Sequence, residues 1–251
     1  MQQGKIQTKI INKVGYITFY HPSSNSLPSS LLKELSLTIT NADNNSEIKV
    51  IVLQSEGRTF CAGASFDELL QLNGHSQAVD FFMGFANVIN TMRSIKKFII
   101  AKVQGKTVGG GVGLIAASDY AMATDLAAVK LSELSIGIGP YVISPAVKRK
   151  IGIAAFSEMS INATKWHTAF WAKEKGLFAQ VFENQNQLDE ETEILALKLA
   201  EYDEQATSQL KTEIWKGTEN WDKLLLEKAQ ISASLVLQEF TQNKLLLFKK
   251  K

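Results

Sequence analysis

The segment Phe98–Ser118, FIIAKVQGKTVGGGVGLIAAS, joins an apolar run, a glycine-rich turn and a stretch of small residues. The apolar run Phe98–Val103 is typical of a buried strand, and Leu114–Ser118 favours a helix. The first turn of a helix carries N–H groups without internal partners, and glycine lets a ligand atom approach them closely. The turn Gly109–Gly111 therefore indicates a place for an anion or a developing oxyanion, with close strand–helix packing as an equal alternative.

The same order of strand, turn and helix occurs upstream of this segment. The run Lys49–Gln54 predicts a buried strand, the turn Glu56–Gly63 follows it, and Ser65–Leu72 continues as a helix. Small residues flank Gly63, so N–H groups of this second turn can also point outward. The other elements predicted before Ile143 are hairpin strands at Ile6–Ile11 and Val14–Tyr20, helices after Pro28 and over Ala78–Ile95, and short strands at Tyr120–Ala123 and Ala127–Leu131.

After about Ile143 the pattern becomes mainly helical. Helices are predicted over Ala146–Ile151, Ala154–Ile161, Thr164–Lys175, Asp189–Tyr202 and most of Glu204–Phe248, and only Leu177–Phe182 looks extended. Strand, turn and helix alternate at least three times before this part. We therefore expect an α/β fold with mainly parallel strand pairing and a helical C-terminal part.

Composition excludes several classes of protein. The chain has 251 residues, of which 45% are hydrophobic, and a formal net charge of +2, which gives no general case for a nucleic-acid or membrane partner. The single cysteine, Cys61, excludes an intrachain disulfide framework and a metal site with several cysteines. The N-terminus shows no targeting segment and apolar runs are short, so we expect a cytoplasmic protein.

Four segments together resemble the signature regions of the enoyl-CoA hydratase/isomerase (crotonase) family. They are HPSSNSL at His21–Leu27, RTFCAGA at Arg58–Ala64, KTVGGG at Lys106–Gly111 and KLSELSIGIGP at Lys130–Pro140, in the family's order and within Ile6–Phe182. The resemblance implies a crotonase-like spiral of ββα units with a C-terminal helical region. It implies a core at residues 1–190 with the acyl-CoA site, and a helical oligomerisation region at 191–251. A homotrimer or dimer of trimers, with no metal and no cofactor besides the coenzyme A of the substrate, would follow.

The resemblance also assigns the binding groups. In the family, the residue after the Ala-Gly pair and the second glycine of the triple donate N–H groups to the thioester oxygen, and by position these are Ala64 and Gly110. Backbone groups near Asn25 and Ala62 would hold the adenine of coenzyme A. Tyr141 could reach the substrate, although a packing role is the stronger alternative. Candidates for phosphate contact are Arg58, Lys244, Lys249 and Lys250, while Asp67 stands where the family often has lysine.

The acids decide the expected reaction. Hydratases of the family usually carry two glutamates. The first position is Gly113 here, one helical turn after Gly110, and the second is Glu133, at the family's spacing. One placed carboxylate can still move a proton between two carbons, so a Δ3,Δ2-enoyl-CoA isomerase with Glu133 as the base is the leading hypothesis. Its alternatives are a hydratase or decarboxylase of the same fold and a non-catalytic acyl-CoA binder. For Glu133 itself, the alternative is a helix-terminal or salt-bridged surface carboxylate.

Three other groups of residues carry weaker signals. Phe81, Phe82, Met83 and Phe85 lie where the family has its acyl pocket, although plain core is their commoner role. Asp119 is interpreted as structural, and Ser135 as a weak candidate for substrate contact. The histidines pair with no serine or aspartate in a triad and lack metal spacing; they are His21, His75 and His167.

Overall fold

The computed structural model describes residues 4–249 and contains two sheets covered by helices. The larger sheet has six strands in the order β1-β2-β3-β5-β7-β10. Its strands are β1 (Lys5–Ile11), β2 (Val14–Tyr20), β3 (Val50–Ser55), β5 (Ile99–Val103), β7 (Tyr120–Thr124) and β10 (Gln180–Phe182). Only β1 and β2 pair antiparallel, through a turn at Asn12 and Lys13 whose positive φ angles of 50° and 66° suit a tight hairpin. The predicted hairpin and mainly parallel pairing are confirmed.

A second, four-stranded sheet has the order β4-β6-β8-β9. Its strands are β4 (Thr59–Cys61), β6 (Lys106–Val108), β8 (Ala128–Lys130) and β9 (His167–Thr168). Each of the first three follows directly on a strand of the larger sheet, which gives the repeating unit of two strands and a helix. The sequence patterns do not predict β4, which lies within the predicted turn Glu56–Gly63, or β6, which directly precedes the turn Gly109–Gly111. Strands of three residues are too short to show a period.

Ten α-helices lie within the described residues. They are α1 (Ser29–Asn44), α2 (Phe66–Leu69), α3 (His75–Ser94), α4 (Gly110–Ala117), α5 (Ser144–Ile161), α6 (Ala169–Glu174), α7 (Gln185–Glu201), α8 (Glu204–Ile214), α9 (Trp221–Val236) and α10 (Glu239–Lys249). The helices predicted at Ala146–Ile151 and Ala154–Ile161 form one element, α5, with a kink at Gly152 (φ 74°). None of these helices is long and apolar enough to cross a membrane.

The helix predicted over Thr164–Lys175 was too long. His167 and Thr168 instead form β9, which pairs antiparallel with β8. The Thr168 side chain accepts a hydrogen bond from the N–H of Trp171 at 3.2 Å, so α6 begins only at Ala169. A threonine cap satisfies an N–H group that the first helical turn leaves without a partner, which fixes this start.

The C-terminal helices pack on the same core as the sheets. Trp215, Trp221, Leu225 and Ala229 belong to the main apolar cluster, and α9 packs along α3. The predicted division after residue 190 stays a prediction, and α7 runs through that position. The C-terminal segment thereby comes close to the sheet edge where the candidate site lies.

Candidate active site

The carboxyl ends of β4, β6 and β8 meet at one cleft. These strands are parallel neighbours, so the residues that follow each of them lie at the same edge of the small sheet. Behind β4 comes the turn Ala62–Ala64, behind β6 comes Gly109–Gly110, and behind β8 comes Ser132–Glu133, and all three segments line the cleft. The topology therefore brings together the two predicted turns and the predicted acid.

The two turns pack directly against each other. A Cβ at Gly63, whose φ is +89°, would lie 3.0 Å from the Val108 oxygen and 3.6 Å from the Gly110 nitrogen. The N–H of Ala62 donates to the Ser24 oxygen, and that of Leu27 to the Gly63 oxygen. Among residues 4–249, no backbone partner takes the N–H of Ala64 or Gly110. Gly110 is also the first residue of α4, whose dipole favours negative charge at this end.

Glu133 lies inside the cleft and not on the surface. It begins a short 3-10 helix, Glu133–Ile136, and its carboxyl group faces Gly109, since a Cβ there would lie 2.9 Å from Glu133 Oε1. Within the described part of the chain its Oε2 atom is buried without a hydrogen-bond partner. Burial raises the pKa of this carboxyl to about 7, while its own backbone N–H lowers the pKa by less. The alternative of a salt-bridged surface carboxylate is wrong.

Position 113 has no room for an acid. A Cβ at Gly113 would lie 2.4 Å from Cγ2 and 2.8 Å from Cβ of Ile143, which is itself buried and lines the cleft. Backbone and branched side-chain atoms at such distances do not move aside easily. An apolar isoleucine therefore closes the wall at this point.

The remaining walls are mostly apolar. They come from α2, α3 and the segment after β8, with the side chains of Leu69, Phe82, Phe85, Ile136, Ile138 and Val142. Of the predicted aromatic residues, Phe82 and Phe85 line the cleft, Phe81 packs in a neighbouring apolar cluster, and Met83 faces the groove between α1 and α3. An apolar lining of this kind suits an acyl chain.

Comparisons with known proteins agree with this arrangement. The family described as enoyl-CoA hydratase/isomerase matches residues 9–245. The chain belongs to this family. A probable enoyl-CoA hydratase of Bacillus subtilis (strain 168) is 28% identical over 198 residues, which cover 78% of this chain and 76% of that relative. A peroxisomal Delta(3,5)-Delta(2,4)-dienoyl-CoA isomerase of Arabidopsis thaliana is 24% identical over 194 residues, covering 71% and 68%.

The fold is that of the family as well. The crystal structure of an enoyl-CoA hydratase from Bacillus halodurans superposes with a TM-score of 0.90 over 96% of this chain and 99% of that chain, at 23% identity. A second, titled a putative enoyl-CoA hydratase, from Mycobacterium avium paratuberculosis K-10, gives a TM-score of 0.86 over 98% and 96%, at 23% identity. The predicted crotonase-like spiral with a C-terminal helical region is confirmed.

In this family member, two of the predicted binding residues, Tyr141 and Asn25, differ in whether their side chains are available to a ligand. Tyr141 lines the cleft with 36% of its surface exposed, and its ring packs on Gly139. The side chain of Asn25 is buried instead: it donates to the carbonyl oxygens of Glu56 and Thr59 at 2.7 Å each and accepts from the His21 N–H. Asn25 therefore fixes its loop, and any ligand contact there falls to the backbone.

Other candidates lie away from the cleft. Ser135 donates its hydroxyl to the Ser132 oxygen, and neither Asp67 nor Ser135 lines the cleft. Lys244 lies over the Phe240 ring at 5.5 Å, whereas the side chain of Lys249 and all of Lys250 lie outside the described residues. None of the three histidines lines the cleft either. Across residues 4–249, no three His, Cys, Asp or Glu side chains gather to hold a metal ion.

Asp119 has the structural role that we predicted. Its carboxylate accepts hydrogen bonds from the Ile99 N–H, from Lys211 Nζ at 2.9 Å and from Trp215 Nε1 at 2.7 Å. The Lys211–Asp119 pair is almost fully buried, and burial lowers the pKa of the lysine while Asp119 raises it. This pair ties α8 to the start of β7 and not to the cleft.

Several lining residues escaped the sequence analysis, and Ser232 is a polar one among them. Ser232, on α9, is 1% exposed and lines the cleft. Its place in a Lys- and Leu-rich helix carries no signal that could have marked it.

Proposed function

We propose that this protein is an acyl-CoA enzyme that stabilises a thioester enolate and shifts a double bond, as a Δ3,Δ2-enoyl-CoA isomerase. The observation that carries the proposal is Glu133, a buried carboxyl with a pKa near neutrality that faces the glycine turn, with an isoleucine wall at position 113. The geometry offers one acid–base group and two free N–H donors in a cleft with apolar walls.

The N–H groups of Ala64 and Gly110 act on the thioester oxygen. As the α-proton leaves, negative charge develops on this oxygen, and donors that already point at it need no rearrangement during the reaction. One such donor contributes about 10²–10³ in rate where it has been removed in other enzymes. The positive end of α4 adds to the same effect at Gly110.

Glu133 moves the proton. Its carboxylate removes a proton from C2 of a 3-enoyl thioester, and the C–H electrons form the dienolate whose oxygen the two N–H groups hold. The protonated carboxyl then returns the proton to C4, and the double bond comes to lie between C2 and C3. A pKa near 7 lets one group accept and return a proton with similar ease, and a placed base contributes about 10²–10⁴ in rate.

A hydratase is the second candidate, because the Bacillus subtilis relative carries that name. Hydroxyl-bearing residues line the cleft, and those of Tyr141 and Ser232 could then hold the water that Glu133 activates. This reaction adds a water molecule across C2=C3, so the product differs in mass from the product of isomerisation. A trimer or dimer of trimers, the lack of any cofactor besides the coenzyme A of the substrate, and a cytoplasmic location stay predictions.

The test is incubation of the purified protein with 3-hexenoyl-CoA and, separately, with 2-hexenoyl-CoA, with products resolved by liquid chromatography and mass spectrometry. We expect a same-mass 2-enoyl product from the first and little hydrated product from the second. Glu133→Gln should abolish the product, while Glu190→Gln, which removes an exposed carboxylate on α7, should not. Efficient hydration of 2-hexenoyl-CoA would make the protein a hydratase, and tight acyl-CoA binding without any turnover would make it a binder.

A further inference from the structure

We propose that Glu68 is a positioning residue, whose hydrogen bonds to Ser29 hold the Ala64 N–H in the direction that the thioester oxygen needs. The inference rests on the proposed function in that Ala64 donates to this oxygen. Glu68 does not itself line the cleft, so it acts through the turn that precedes its helix.

The peptide unit between Gly63 and Ala64 is held through its carbonyl group. The Leu27 N–H donates to the Gly63 oxygen at 2.8 Å, and Leu27 forms a parallel bridge with Ala64. In a planar trans peptide, the N–H points away from the carbonyl oxygen of the same unit. The Ala64 N–H therefore points away from Leu27, and both residues of this peptide unit line the cleft.

The other side of Ala64 depends on helix α2. A hydrogen bond at the carbonyl fixes one end of the peptide plane, but the plane can still tilt unless the chain after Ala64 is also held. Helix α2 follows at once and has a single turn, capped by Ser65, whose Oγ accepts the Glu68 N–H at 3.3 Å. A helix this short is not stable on its own in water, so contacts with the rest of the chain must fix its position.

Glu68 ties α2 to the start of α1. Its Oε2 atom accepts the Ser29 N–H at 2.9 Å and the Ser29 hydroxyl at 2.7 Å. Ser29 is the first residue of α1, and the residue before it, Pro28, makes no side-chain cap for this helix. A carboxylate here satisfies an N–H group that has no helical partner and meets the positive end of the helix dipole. The contact therefore gives α1 a cap and α2 an anchor.

The two anchors of the Ala64 turn are only two residues apart in the chain. Leu27 holds the carbonyl side of the peptide unit, and Ser29 holds α2 through Glu68. Leu27 is fully buried in the main apolar cluster, so this segment is a firm base for both contacts. Without the Glu68 contact, the Gly63 carbonyl stays in place while α2 can shift, and the Ala64 N–H tilts away from the thioester oxygen.

The test measures how strongly the protein polarises the carbonyl group of a bound thioester. Infrared difference spectra of bound hexanoyl-CoA, with and without a carbon-13 label in the thioester carbonyl, give its stretching frequency, which N–H donors lower. We expect Glu68→Ala to lose part of this downward shift. The same variant should lower kcat for 3-hexenoyl-CoA about tenfold and leave KM within about twofold, because a misdirected donor mainly weakens binding of the transition state.

Three further variants serve as controls. Both hydrogen bonds end on one oxygen atom, and Glu68→Gln keeps such an acceptor, so its kcat should stay within about twofold of the parent protein. Ser29→Ala keeps the N–H and loses the hydroxyl, and its kcat should fall between those of the two Glu68 variants. Glu34→Ala removes an exposed carboxylate from α1 and should change neither kcat nor the carbonyl frequency. The pH midpoint of kcat/KM, which Glu133 sets, should be the same in all four variants.

Three results would overturn the inference. The first is a Glu68→Ala variant with the carbonyl frequency and kcat of the parent protein, which would show that α2 needs no such anchor. The second is a lower kcat with an unchanged carbonyl frequency and a moved pH midpoint, which would indicate a general opening of the cleft. The third is an equal loss of kcat in Glu68→Gln and Glu68→Ala, which would assign the effect to the charge of Glu68. Failure of the isomerase proposal is separate, because the carbonyl frequency of bound hexanoyl-CoA requires no turnover.

Discussion

Ile143 fills the space that a side chain at position 113 would need, with its Cγ2 atom 2.4 Å from the Cβ that Gly113 lacks. The two residues therefore complement each other: Gly113 on α4 has no side chain, and the large side chain of Ile143, the residue before α5, occupies the space beside it. A missing acid at position 113 is therefore built into the packing, and restoring it takes more than one substitution.

For Gly113→Glu, we expect loss of stability without gain of hydratase activity. A glutamate there meets Ile143, and overpacking of this kind destabilises by about 1–3 kcal/mol, to which a buried charge adds. Urea unfolding gives the stability, and mass spectrometry of the products gives the reaction. The double variant Gly113→Glu with Ile143→Ala should recover part of the lost stability. If the single variant Gly113→Glu were as stable as the parent protein, Ile143 would not block a side chain at position 113.

The pH dependence of activity should follow Glu133. Its folded pKa is about 7, and the base must be ionised to take the α-proton. We expect kcat/KM for 3-hexenoyl-CoA to rise about tenfold per pH unit below this value and to level off above it. A flat profile between pH 5 and 9 would assign proton transfer to another group.

The same carboxyl should lower stability as the pH rises. Because the folded pKa lies above the ordinary value of 4.5, the unfolded chain loses this proton first, and folding becomes less favourable between pH 4.5 and about 7. Glu133→Gln should therefore raise the free energy of unfolding at pH 8 by about 3 kcal/mol. Below pH 4 the variant and the parent protein should have equal free energies of unfolding. Urea titrations at pH 8 and below pH 4 measure both values. An equally large difference below pH 4 would show that ionisation of Glu133 is not the cause.

Gly110→Ala should damage catalysis more than stability. A Cβ at this position lies 2.3 Å from Cε1 of Phe85, so the ring or the turn must shift. A displaced N–H donor lowers kcat by about 10²–10³. Gly74→Ala is the control, since a Cβ there meets nothing within 4 Å. Equal kcat values for the two variants would show that the N–H of Gly110 does not stabilise the oxyanion.

Lys211→Met should destabilise the protein without altering the chemistry. It leaves Asp119 charged and buried, with hydrogen bonds only from Ile99 and Trp215, and breaking a buried ion pair on one side usually costs about 3–5 kcal/mol. The double variant Lys211→Met with Asp119→Asn should recover part of the lost stability. Thermal unfolding measures the stability, and kcat of the folded fraction should stay within about twofold in both variants; a larger change would couple the pair to the cleft.

The sequence predicts the parts of this molecule that depend on neighbours along the chain. Runs of apolar and β-branched residues predict the strands β1, β2, β3 and β5, and the three consecutive glycines predict the start of α4. Glu133 was placed by its register with a family motif and proved to lie against Gly109. Each of these depends on local period, backbone freedom or a fixed spacing.

Features that arise from contacts across the chain were not predictable in this way. The strand β9 exists because two residues pair with β8, and the cap at Thr168 then delays α6. The wall of the cleft takes Ile143 from the residue before α5 and Ser232 from α9, two segments that are far apart along the chain. Such positions have no period or motif of their own, so only the folded chain shows them.

The contribution of Ser232 makes the completeness of the cleft depend on the C-terminal helices. Ser232 lies about a hundred residues after Glu133 in the chain, yet both residues line the same cleft. Helix α9 also packs along α3, which supplies Phe82 and Phe85 to the cleft. A chain that ended before α9 would therefore lack one wall of the cleft and would expose apolar side chains of the other walls to water.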